Sequence, residues 1–456
     1  MATRYVSTVG AFLLPRRMNT SNPARVSGSK QTLLGQRLEA DIDNAVDGWT
    51  PIVLAADDTR WIRSAQLSER QQLKVFYTDV GQGDAILIEA EDTMVIIDGG
   101  PNRGLHDELR RRDERRRRLD ALSGVASEPV VIDAVIVSHF DKDHYAGLTA
   151  VLEDDAFRIE RLLHNGLPRY GDPADRDLDL GTASKLEDGG EHITTDLDDI
   201  DTARRLLASG ALNTKKGNPN DFAVFLKAAL AAHDATPSRL GRMERLVRRD
   251  PAAPAPTLPG LGSDTVFEVL APVSTTPTGR IRLPVFSDPH TSSKSGSPSH
   301  TINGNSVVLR LTYGTHTFLF GGDLNQPAQR YLKARYADLG EFKADVNKAC
   351  HHGSSDFELA YVKAVAAHAT VFSSGDSGTY DHPLPDAMGA AARHGRGQFP
   401  LVFSTELARE GVRHLGHINA RSNGTELVMA QKKEKPSSKK AWIPFDVPNK
   451  GPFGGH

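Results

Sequence analysis

The sequence predicts an α+β fold in which polar side chains follow the ends of buried strands. Residues 131–137 form a mostly apolar run, and its length and β-branched content indicate a buried strand. Comparable runs lead into Asp98 and Asp323, each beside two glycines that allow a sharp turn. Helices are predicted over residues 103–127, 145–155 and 326–336. Helices and strands are therefore mixed along the chain.

Four side chains that can bind a metal follow the strand at residues 131–137, namely His139, Asp141, Asp143 and His144. Carboxylates packed in a core without partners would be too costly, so this run does not continue the core. The chain is too tight here to scatter two imidazoles and two carboxylates, which can converge on one or two cations. The alternative is a polar helix cap that happens to contain two histidines.

The bulk composition narrows the class of protein. With 456 residues, the chain allows roughly two or three domains, and its 39% hydrophobic and 25% charged residues are typical of a soluble protein. A net charge of −3 provides no overall attraction to nucleic acid or membrane, so either partner requires a local patch. The single cysteine, Cys350, excludes an internal disulfide, and no apolar run approaches the length of a membrane span. We therefore expect a cytoplasmic protein; the oligomeric state stays open.

The chain divides into three parts by its local patterns. Residues 1–70 are predicted as an N-terminal extension, with a loosely packed lead-in and a β-hairpin near residues 48–67. Residues 71–430 form the main domain, and an insertion of about residues 165–300 interrupts it. Residues 431–456 are predicted as a polar, solvated tail.

An arginine-rich segment precedes the metal-capable run. The predicted helix at residues 103–127 carries Arg110 to Arg112 and then Arg115, Arg116, Arg117 and Arg118. These arginines point in every direction around a helix, so they do not form one buried face. The simpler interpretation is a solvated helix with i,i+4 charge pairs. The functional interpretation is a contact patch for a phosphate backbone, whose binding would be sensitive to salt.

Two adjacent histidines follow another predicted strand, at residues 345–350. On a regular strand His351 and His352 point to opposite sides, so at most one can face a metal directly. We favour His352 as the ligand, because the following Gly353 allows the chain to turn there, and His351 as a substrate contact or a supporting side chain. Cys350 is interpreted as a buried structural thiol rather than a soft metal ligand.

Several of these motifs, taken in order, resemble a known family. They are Asp-Val-Gly-Gln-Gly-Asp at residues 79–84, Ile-Ile-Asp-Gly-Gly at 96–100, His-Phe-Asp-Lys-Asp-His at 139–144, Gly-Gly-Asp at 321–323 and Tyr-Asp-His-Pro at 380–383. The third resembles the His-x-His-x-Asp-His signature of the metallo-β-lactamase superfamily, with Asp141 in place of the second histidine. That variant is similar to the metallo-β-lactamase domain of ComEC-type competence proteins. The resemblance implies a four-layer αββα sandwich with metals at one edge between two sheets.

The resemblance also implies a ligand set. His139 and Asp141 would hold one divalent metal, His144, Asp143 and His352 the other, and Asp323 would bridge them. The third ligand of the first site stays open, since none of the three available histidines (His164, His192 and His233) lies in a persuasive motif. Asp98, Asp84 and Asn305 would support the ligands from behind. Aspartate oxygens are hard ligands, so this ligand set is harder, in the sense of hard and soft metal ligands, than that of a lactamase zinc site. Two Zn²⁺ or Mn²⁺ ions are therefore expected, and Mg²⁺ is also suitable.

The ligand set implies a metal-dependent hydrolase that uses metal-activated water. Asp143, His382 and Lys348 are the expected catalytic side chains; the last two could steady a phosphate or leaving group. A phosphodiesterase or nuclease is the leading hypothesis, with nucleic acid or a small phosphodiester as substrate. The first alternative is hydrolysis of a small ester, lactone or cyclic nucleotide, and the second is a non-catalytic binding module.

Overall fold

The computed structural model describes most of the chain. The residues outside the description are 56, 123, 172–179, 182, 186–189, 277–278, 292–295, 376–379, 406–414, 438–439 and 448–456. Within the described residues, no helix combines the length and apolar character that a membrane span requires.

The N-terminal part forms a small β-module. Its strands are β1 (Ala2–Val6), β2 (Phe12–Leu13), β3 (Lys30–Gln31), β4 (Arg37–Ala40), β5 (Trp49–Ala55), β6 (Asp58–Arg63) and β7 (Leu67–Ser68). Five of them make one sheet in the order β6-β5-β4-β1-β7, in which β5 and β6 form a hairpin. Val6, Leu38, Ile52 and Ile62 pack in its core. The prediction of a loosely packed lead-in is therefore wrong. β1 pairs with β4, which is distant in sequence, and a local sequence pattern does not reveal such a pairing.

The first half of the main domain alternates strands and helices. Its elements are β8 (Leu73–Tyr77), β9 (Ile86–Ala90), β10 (Thr93–Ile97), α1 (Gly104–Leu122), β11 (Val130–Ile132), β12 (Ala134–Ile136), α2 (Lys142–Tyr145), α3 (Leu148–Glu153) and β13 (Phe157–His164). In β13, exposed Arg158 alternates with buried Phe157 and Ile159, whereas the last four residues are all buried. The strand thus begins at the surface and ends inside the molecule.

The segment expected as an insertion contributes to the main layers. Its elements are β14 (Ala183–Lys185), β15 (Glu191–Thr194), α4 (Ile200–Ala208), α5 (Asp221–Asp234), β16 (Leu240–Arg245), β17 (Thr265–Ala271), β18 (Arg282–Pro284) and α6 (Pro298–Gly304). β16 pairs in parallel with β13, and β17 pairs with a strand of the second sheet. Only β14, β15 and β18 form a separate small sheet. An uninterrupted insertion over residues 165–300 therefore does not describe the fold.

The remaining elements complete the two large sheets. They are β19 (Val308–Tyr313), β20 (His316–Phe320), α7 (Gln326–Arg335), β21 (Val346–Lys348), α8 (Leu359–Val365), β22 (Ala369–Phe372), α9 (Pro385–His394), β23 (Leu401–Ser404), β24 (Leu415–Ser422), β25 (Leu427–Ser437) and β26 (Lys440–Val447). The prediction of a polar, solvated tail is wrong for the residues of β25 and β26. These strands pair with each other, and the pairing satisfies their backbone hydrogen-bonding groups even where the side chains are polar. Residues 448–456 of that tail lie outside the described residues.

The layers are two sheets with helices on both outer faces. The first sheet has the order β11-β13-β12-β10-β9-β8-β24-β25-β26, with β16 beside β13, and the second has the order β17-β19-β20-β21-β22-β23. Apolar side chains of both sheets, such as Val75 and Phe318, form one buried cluster between them. Helices α1, α3 and α5 pack on the outer face of the first sheet, and α7 and α8 pack on the second. The predicted four-layer αββα sandwich is confirmed.

The sheet topology brings polar loops to one edge. Strands β12, β13 and β16 are parallel neighbours, as are β20, β21 and β22. Because parallel strands end at the same edge, the loops that follow them lie together. The loop at 138–144 follows β12, and those at 321–325 and 349–353 follow β20 and β21. All the metal-capable motifs therefore open toward this edge.

Candidate metal centre

Four side chains from three loops converge at this edge. The ligand atoms of Asp143, His144, Asp323 and His352 all lie within 4.8 Å of one another. Asp323 Oδ2 lies 3.3 Å from His144 Nε2 and 3.1 Å from His352 Nε2. Asp143 Oδ2 lies 3.4 Å from His352 Nε2, and its side chain is about one-third exposed. The cluster is therefore closed below by buried side chains and open to solvent at Asp143.

The hydrogen bonds behind the two histidines fix which ring nitrogens face the cluster. His144 Nδ1 lies 2.9 Å from Asp98 Oδ2, and His352 Nδ1 lies 2.8 Å from the carbonyl oxygen of Ser373. Both partners accept hydrogen bonds, so each neutral ring carries its proton on Nδ1 and turns the lone pair of Nε2 inward. These two Nε2 atoms are only 3.2 Å apart. In two neutral rings the lone pairs at that distance repel each other, and a shared cation, either a proton or a metal ion, removes the repulsion.

Asp98 accepts hydrogen bonds from the loop after β12. One of its oxygens accepts a hydrogen bond from the backbone N–H of Ser138, and the other accepts one from Ser138 Oγ, both at 2.7 Å. The same carboxylate contacts His144, so it positions the loop and a ring together. Its own backbone has a φ of 59°, which is uncommon for a residue with a side chain. A strained residue at this point favours a functional role.

A glycine lets a second loop approach the same point. Gly83 has a φ of 130°, and a Cβ there would lie 2.3 Å from the carbonyl oxygen of Asp143. The adjacent N–H of Asp84 donates to that carbonyl at 3.2 Å. The carboxylate of Asp84 contacts Lys348 and lies 3.6 Å from His352 Nδ1. Asp84 thus lies behind the four-residue cluster.

A second group of candidate ligands flanks the first. His139 is buried, and its Nε2 has no hydrogen-bond partner in the described part of the chain. That nitrogen lies 3.8 Å from Asp141 Oδ2, while Asp141 Oδ1 accepts a hydrogen bond from Arg169 at 2.9 Å. Among the same described residues, Asp323 Oδ1 also has no hydrogen-bond donor. Buried polar atoms are normally satisfied, so these atoms fit a cation as their missing partner.

The electrostatics of the cluster favour positive charge. Burial alone would lower the pKa of His352, but the carboxylates of Asp323 and Asp84 raise it to about 9. Burial likewise opposes the charged form of His144, yet Asp323, Asp143 and Asp98 hold its pKa well above the ordinary value. The carboxylates therefore stabilise bound cations, whether protons or metal ions. The donor set of histidines and aspartates fits a divalent metal.

Lys348 does not have the catalytic position expected for it. Its side chain is 1% exposed, and Nζ contacts Asp84, donates to the carbonyl oxygen of Gly322 at 3.0 Å, and lies 3.6 Å from Asp323 Oδ1. Burial alone would lower the pKa of Lys348, but these two carboxylates raise it. The lysine is a counter-charge beneath the ligands, and it is too deep to steady a leaving group.

The two adjacent histidines do not alternate as on a regular strand. β21 ends at Lys348, and His351 and His352 both adopt left-handed backbone conformations, with φ of 50° and 54°. His352 enters the four-residue cluster, which favours it as the ligand over its neighbour. His351 Nε2 lies 3.4 Å from Asn303 Nδ2, and its ring centroid is 5.8 Å from that of His382. His351 therefore borders the site without joining the cluster.

His382 lies at the mouth of the site. Its ring stacks on exposed Tyr380 at 5.7 Å and lies 6.4 Å from the ring of His352. Burial and the neighbouring His352 and His351 lower the pKa of His382 to about 4. Its Nδ1 is 3.3 Å from Gln82 Nε2, an amide donor, which leaves the proton of the neutral ring on Nε2. A neutral histidine here can donate a hydrogen bond.

Asn305 does not contact the candidate ligands that it was predicted to support. Asn305 donates to the carbonyl oxygens of Pro284 and Thr301, so it braces its own loop and not the ligands. The next residue, Ser306, lies 3.3 Å from His139 Nδ1 and accepts the backbone N–H of Asp323. Sequence analysis missed Ser306, although it adjoins Asn305. Arg169 was also missed, and no local pattern identifies it as the partner of Asp141.

Two of the histidines available for the open ligand position lie outside the cluster. His164 Nδ1 accepts the N–H of Gly166, and its ring contacts Phe140 at 5.6 Å. His233 lies at the end of α5, and its Nδ1 is 2.9 Å from the carbonyl oxygen of Leu240.

Cys350 was interpreted as a structural thiol. Burial raises the pKa of this thiol to about 12.

His164 predicts a measurable pH dependence of stability. Burial lowers its pKa to about 3, whereas the unfolded chain protonates it near the ordinary value of about 6.5. Between pH 6.5 and pH 3 the unfolded state therefore binds one more proton at His164 than the folded state does. The contribution of His164 to the free energy of unfolding is present above pH 6.5 and is lost as the pH falls toward 3. The variant His164→Asn keeps a hydrogen-bond acceptor for the N–H of Gly166. Between pH 7 and pH 4.5 its free energy of unfolding is expected to fall by about 3 kcal/mol less than that of the wild type.

Urea denaturation of metal-stripped protein at several pH values measures this difference. The matched control is His290→Asn, which changes an exposed histidine in a turn. Parallel pH profiles for wild type and His164→Asn would contradict the prediction.

The second half of α1, which carries Arg115 to Arg118, lies away from this edge. The arginines of α1 mostly pair with nearby acidic groups: Arg110 with Asp154, Arg111 with Glu108, Arg112 with Glu89, and Arg116 and Arg117 with Asp113. Arg116 also donates to the carbonyl oxygen of Glu128. Glu128 precedes β11, about 30 Å of extended chain before Ser138. The expected nucleic-acid patch at Arg115 to Arg118 is therefore at the opposite end of the sheet from the metal-capable cluster.

The chain is similar to several known proteins. Residues 78–196 match the family model described as the metallo-β-lactamase superfamily. Competence protein ComA of Neisseria gonorrhoeae is 32% identical over 94 residues, which are 20% of this chain and 13% of ComA. The chain thus matches only about one-eighth of that relative's length.

Solved structures were also compared. YhfI of Bacillus subtilis, described as a metallo-β-lactamase fold protein, is 11% identical with a TM-score of 0.33, and the match covers 73% of this chain and 96% of YhfI. A diphosphatase of the PhnP family is 11% identical with a TM-score of 0.31, covering 76% of this chain and 98% of that protein. The family match includes Asp84, Asp98, Asp143 and His144, which the fold brings into two groups of candidate ligands that share His144. Residues 78–196, about a quarter of the chain, are therefore similar in sequence to the metallo-β-lactamase superfamily.

Proposed function

We propose that this superfamily hydrolase is a two-metal phosphodiesterase that cleaves nucleic acid. The observation that carries the proposal is the convergence of His144 Nε2 and His352 Nε2 on the carboxylates of Asp143 and Asp323. The unsatisfied nitrogen of His139 beside Asp141 supports a second cation.

The ligand chemistry supports a phosphodiester over a lactam or lactone. His139 and Asp141 would hold one metal, His144, Asp143 and His352 the other, and Asp323 would contact both. Aspartate at position 141 makes the set harder, which suits Mn²⁺, Mg²⁺ or Zn²⁺. Two divalent cations bound there would activate water and stabilise the charge that develops in an in-line displacement. The resemblance to ComEC-type competence proteins favours nucleic acid among phosphodiesters.

The chain's own groups supply positioning and hydrogen bonds. Arg169 holds Asp141 in place, and Asp98 holds His144. His382, neutral at pH 7, would donate its Nε2 proton in a hydrogen bond to a phosphoryl oxygen or to the leaving oxygen. Lys348 offsets the negative charge of Asp84 and Asp323 from below.

The test is hydrolysis by metal-stripped protein resupplied with Mn²⁺, Mg²⁺ or Zn²⁺. Substrates are labelled single- and double-stranded DNA and RNA, together with bis(p-nitrophenyl) phosphate as a single diester. The control is Asp143→Ala/His144→Ala. Metal-dependent cleavage of a diester that the control lacks is the expected result. Bound metal without cleavage of any diester would overturn the proposal and favour a small carboxylic ester or lactone as substrate.

A further inference from the structure

An arginine-lined cleft lies beside the metal-capable edge. It has a volume of about 510 Å³ and lies between α4, the end of β16 and residues 279–281. Among the described residues, Arg205, Arg245 and Arg280 line it together with Asp196 and Asp198. The charged residues of this lining therefore carry one excess positive charge.

Two of the three guanidinium groups of the cleft contact acidic side chains. Arg245 contacts Asp198 and Thr195, and its side chain is 19% exposed. Arg280 lies 2.9 Å from Asp196, and its side chain is 70% exposed. Arg205 is exposed on the face of α4 that lines the cleft. A guanidinium has five N–H donors, so one that contacts a carboxylate still has donors for a phosphate oxygen.

A short path of contacts joins this cleft to the candidate ligands. Arg169 contacts Asp141 at 2.9 Å, and the hydroxyl of the next residue, Tyr170, donates to Asp196 in the cleft, also at 2.9 Å. The cleft also lies at the same sheet edge as the metal-capable loops, because β16 is parallel to β13 and ends at Arg245. The cleft is thus next to the cluster, unlike the arginines of α1.

We propose that this cleft binds phosphate groups of the nucleic-acid strand that flank the scissile phosphate. The proposal rests on the proposed function and adds the surface that selects a polynucleotide. Paired guanidiniums bind phosphate oxygens through charge-assisted hydrogen bonds. A substrate with a single phosphate would occupy only the reaction centre. A longer strand would occupy the reaction centre and also extend into the cleft. The cleft therefore favours polynucleotides over small diesters.

The experiment compares two double variants that remove the same charge. Arg205→Gln/Arg280→Gln changes the cleft, whereas Arg158→Gln/Arg204→Gln changes exposed arginines that pair with Glu160 and Asp234 elsewhere. For the cleft variant, KM for a labelled polynucleotide is expected to rise roughly tenfold, with kcat and the hydrolysis of bis(p-nitrophenyl) phosphate unchanged. The logarithmic salt slope for a single strand is expected to flatten by about 0.7 per lost phosphate contact.

A binding measurement separates this inference from the proposed function. Fluorescence anisotropy of a labelled oligonucleotide is measured with the metal-stripped Asp143→Ala/His144→Ala protein, with and without the cleft substitutions. Weaker binding caused by the cleft substitutions alone supports the inference even if no diester is cleaved. Unchanged oligonucleotide affinity and unchanged salt slope in the cleft variant would overturn it, while metal-dependent cleavage by wild type would leave the proposed function standing.

Discussion

Asp323→Asn is expected to lower metal content and hydrolysis together, by more than about 100-fold in hydrolysis. Its carboxylate lies within 3.3 Å of both His144 Nε2 and His352 Nε2, and its other oxygen has no hydrogen-bond donor among the described residues. An amide keeps the shape but removes the charge, so the cations lose a shared anionic ligand. Loss of side chains that merely support a ligand already costs about 10- to 100-fold, and loss of the ligand exceeds this.

Elemental analysis of purified protein and steady-state hydrolysis measure the two effects. Asp264→Asn is a matched control, since that aspartate pairs with Arg70 on the surface, and it is expected to keep both metal and activity. A variant Asp323→Asn that retained full metal content and normal turnover would show that Asp323 is not a ligand.

Lys348→Met is expected to destabilise the metal-stripped protein by roughly 3–5 kcal/mol. Methionine has similar length but no charge, so Asp84 and Asp323 would both stay buried without the ammonium group that pairs with them. Removal of one partner from a buried charge pair leaves the other charge uncompensated, and this accounts for the size of the effect. Urea denaturation provides the free energy of unfolding.

The second variant for this prediction removes the opposing charge as well. Lys348→Met/Asp84→Asn is expected to recover part of the lost stability, because the buried negative charge is removed with its partner. The surface variant Lys333→Met is the control, since Lys333 is exposed on α7. A loss of less than about 0.5 kcal/mol in Lys348→Met, the range of ordinary surface substitutions, would contradict the role of Lys348 as a buried counter-charge.

Local patterns predicted the elements that carry the chemistry but not how distant segments pair. The apolar strand before Ser138 and the glycines beside Asp98 and Asp323 are visible in the sequence, and the structure has strands ending at these points. The pairing of β1 with β4 and of β25 with β26 joins segments whose side chains look solvated. Main-chain hydrogen bonds stabilise such strands, so composition alone misses them.

The role of each charged residue depended on its neighbours in three dimensions. Lys348 lies at the end of a buried strand, and this position does not distinguish a lysine that reaches substrate from one that neutralises carboxylates below the candidate ligands. The arginines of α1 looked close to the site because they precede His139 in sequence. Arg116 contacts Glu128, and about 30 Å of extended chain along β11 and β12 leads from Glu128 to Ser138.

The sequence by itself determined the α+β class, the order of the motifs and the chemical type of the candidate site, because these depend on residue identity and local periodicity. Only the tertiary structure decided that His352 enters the cluster in preference to His351, that Arg169 pairs with Asp141, and that β16 ends with Arg245 at the same sheet edge as the cluster. The physical reason is that ligand geometry and charge pairing depend on distances between loops that follow different strands. Those distances are set by the packing of the two sheets, which no local stretch of sequence encodes.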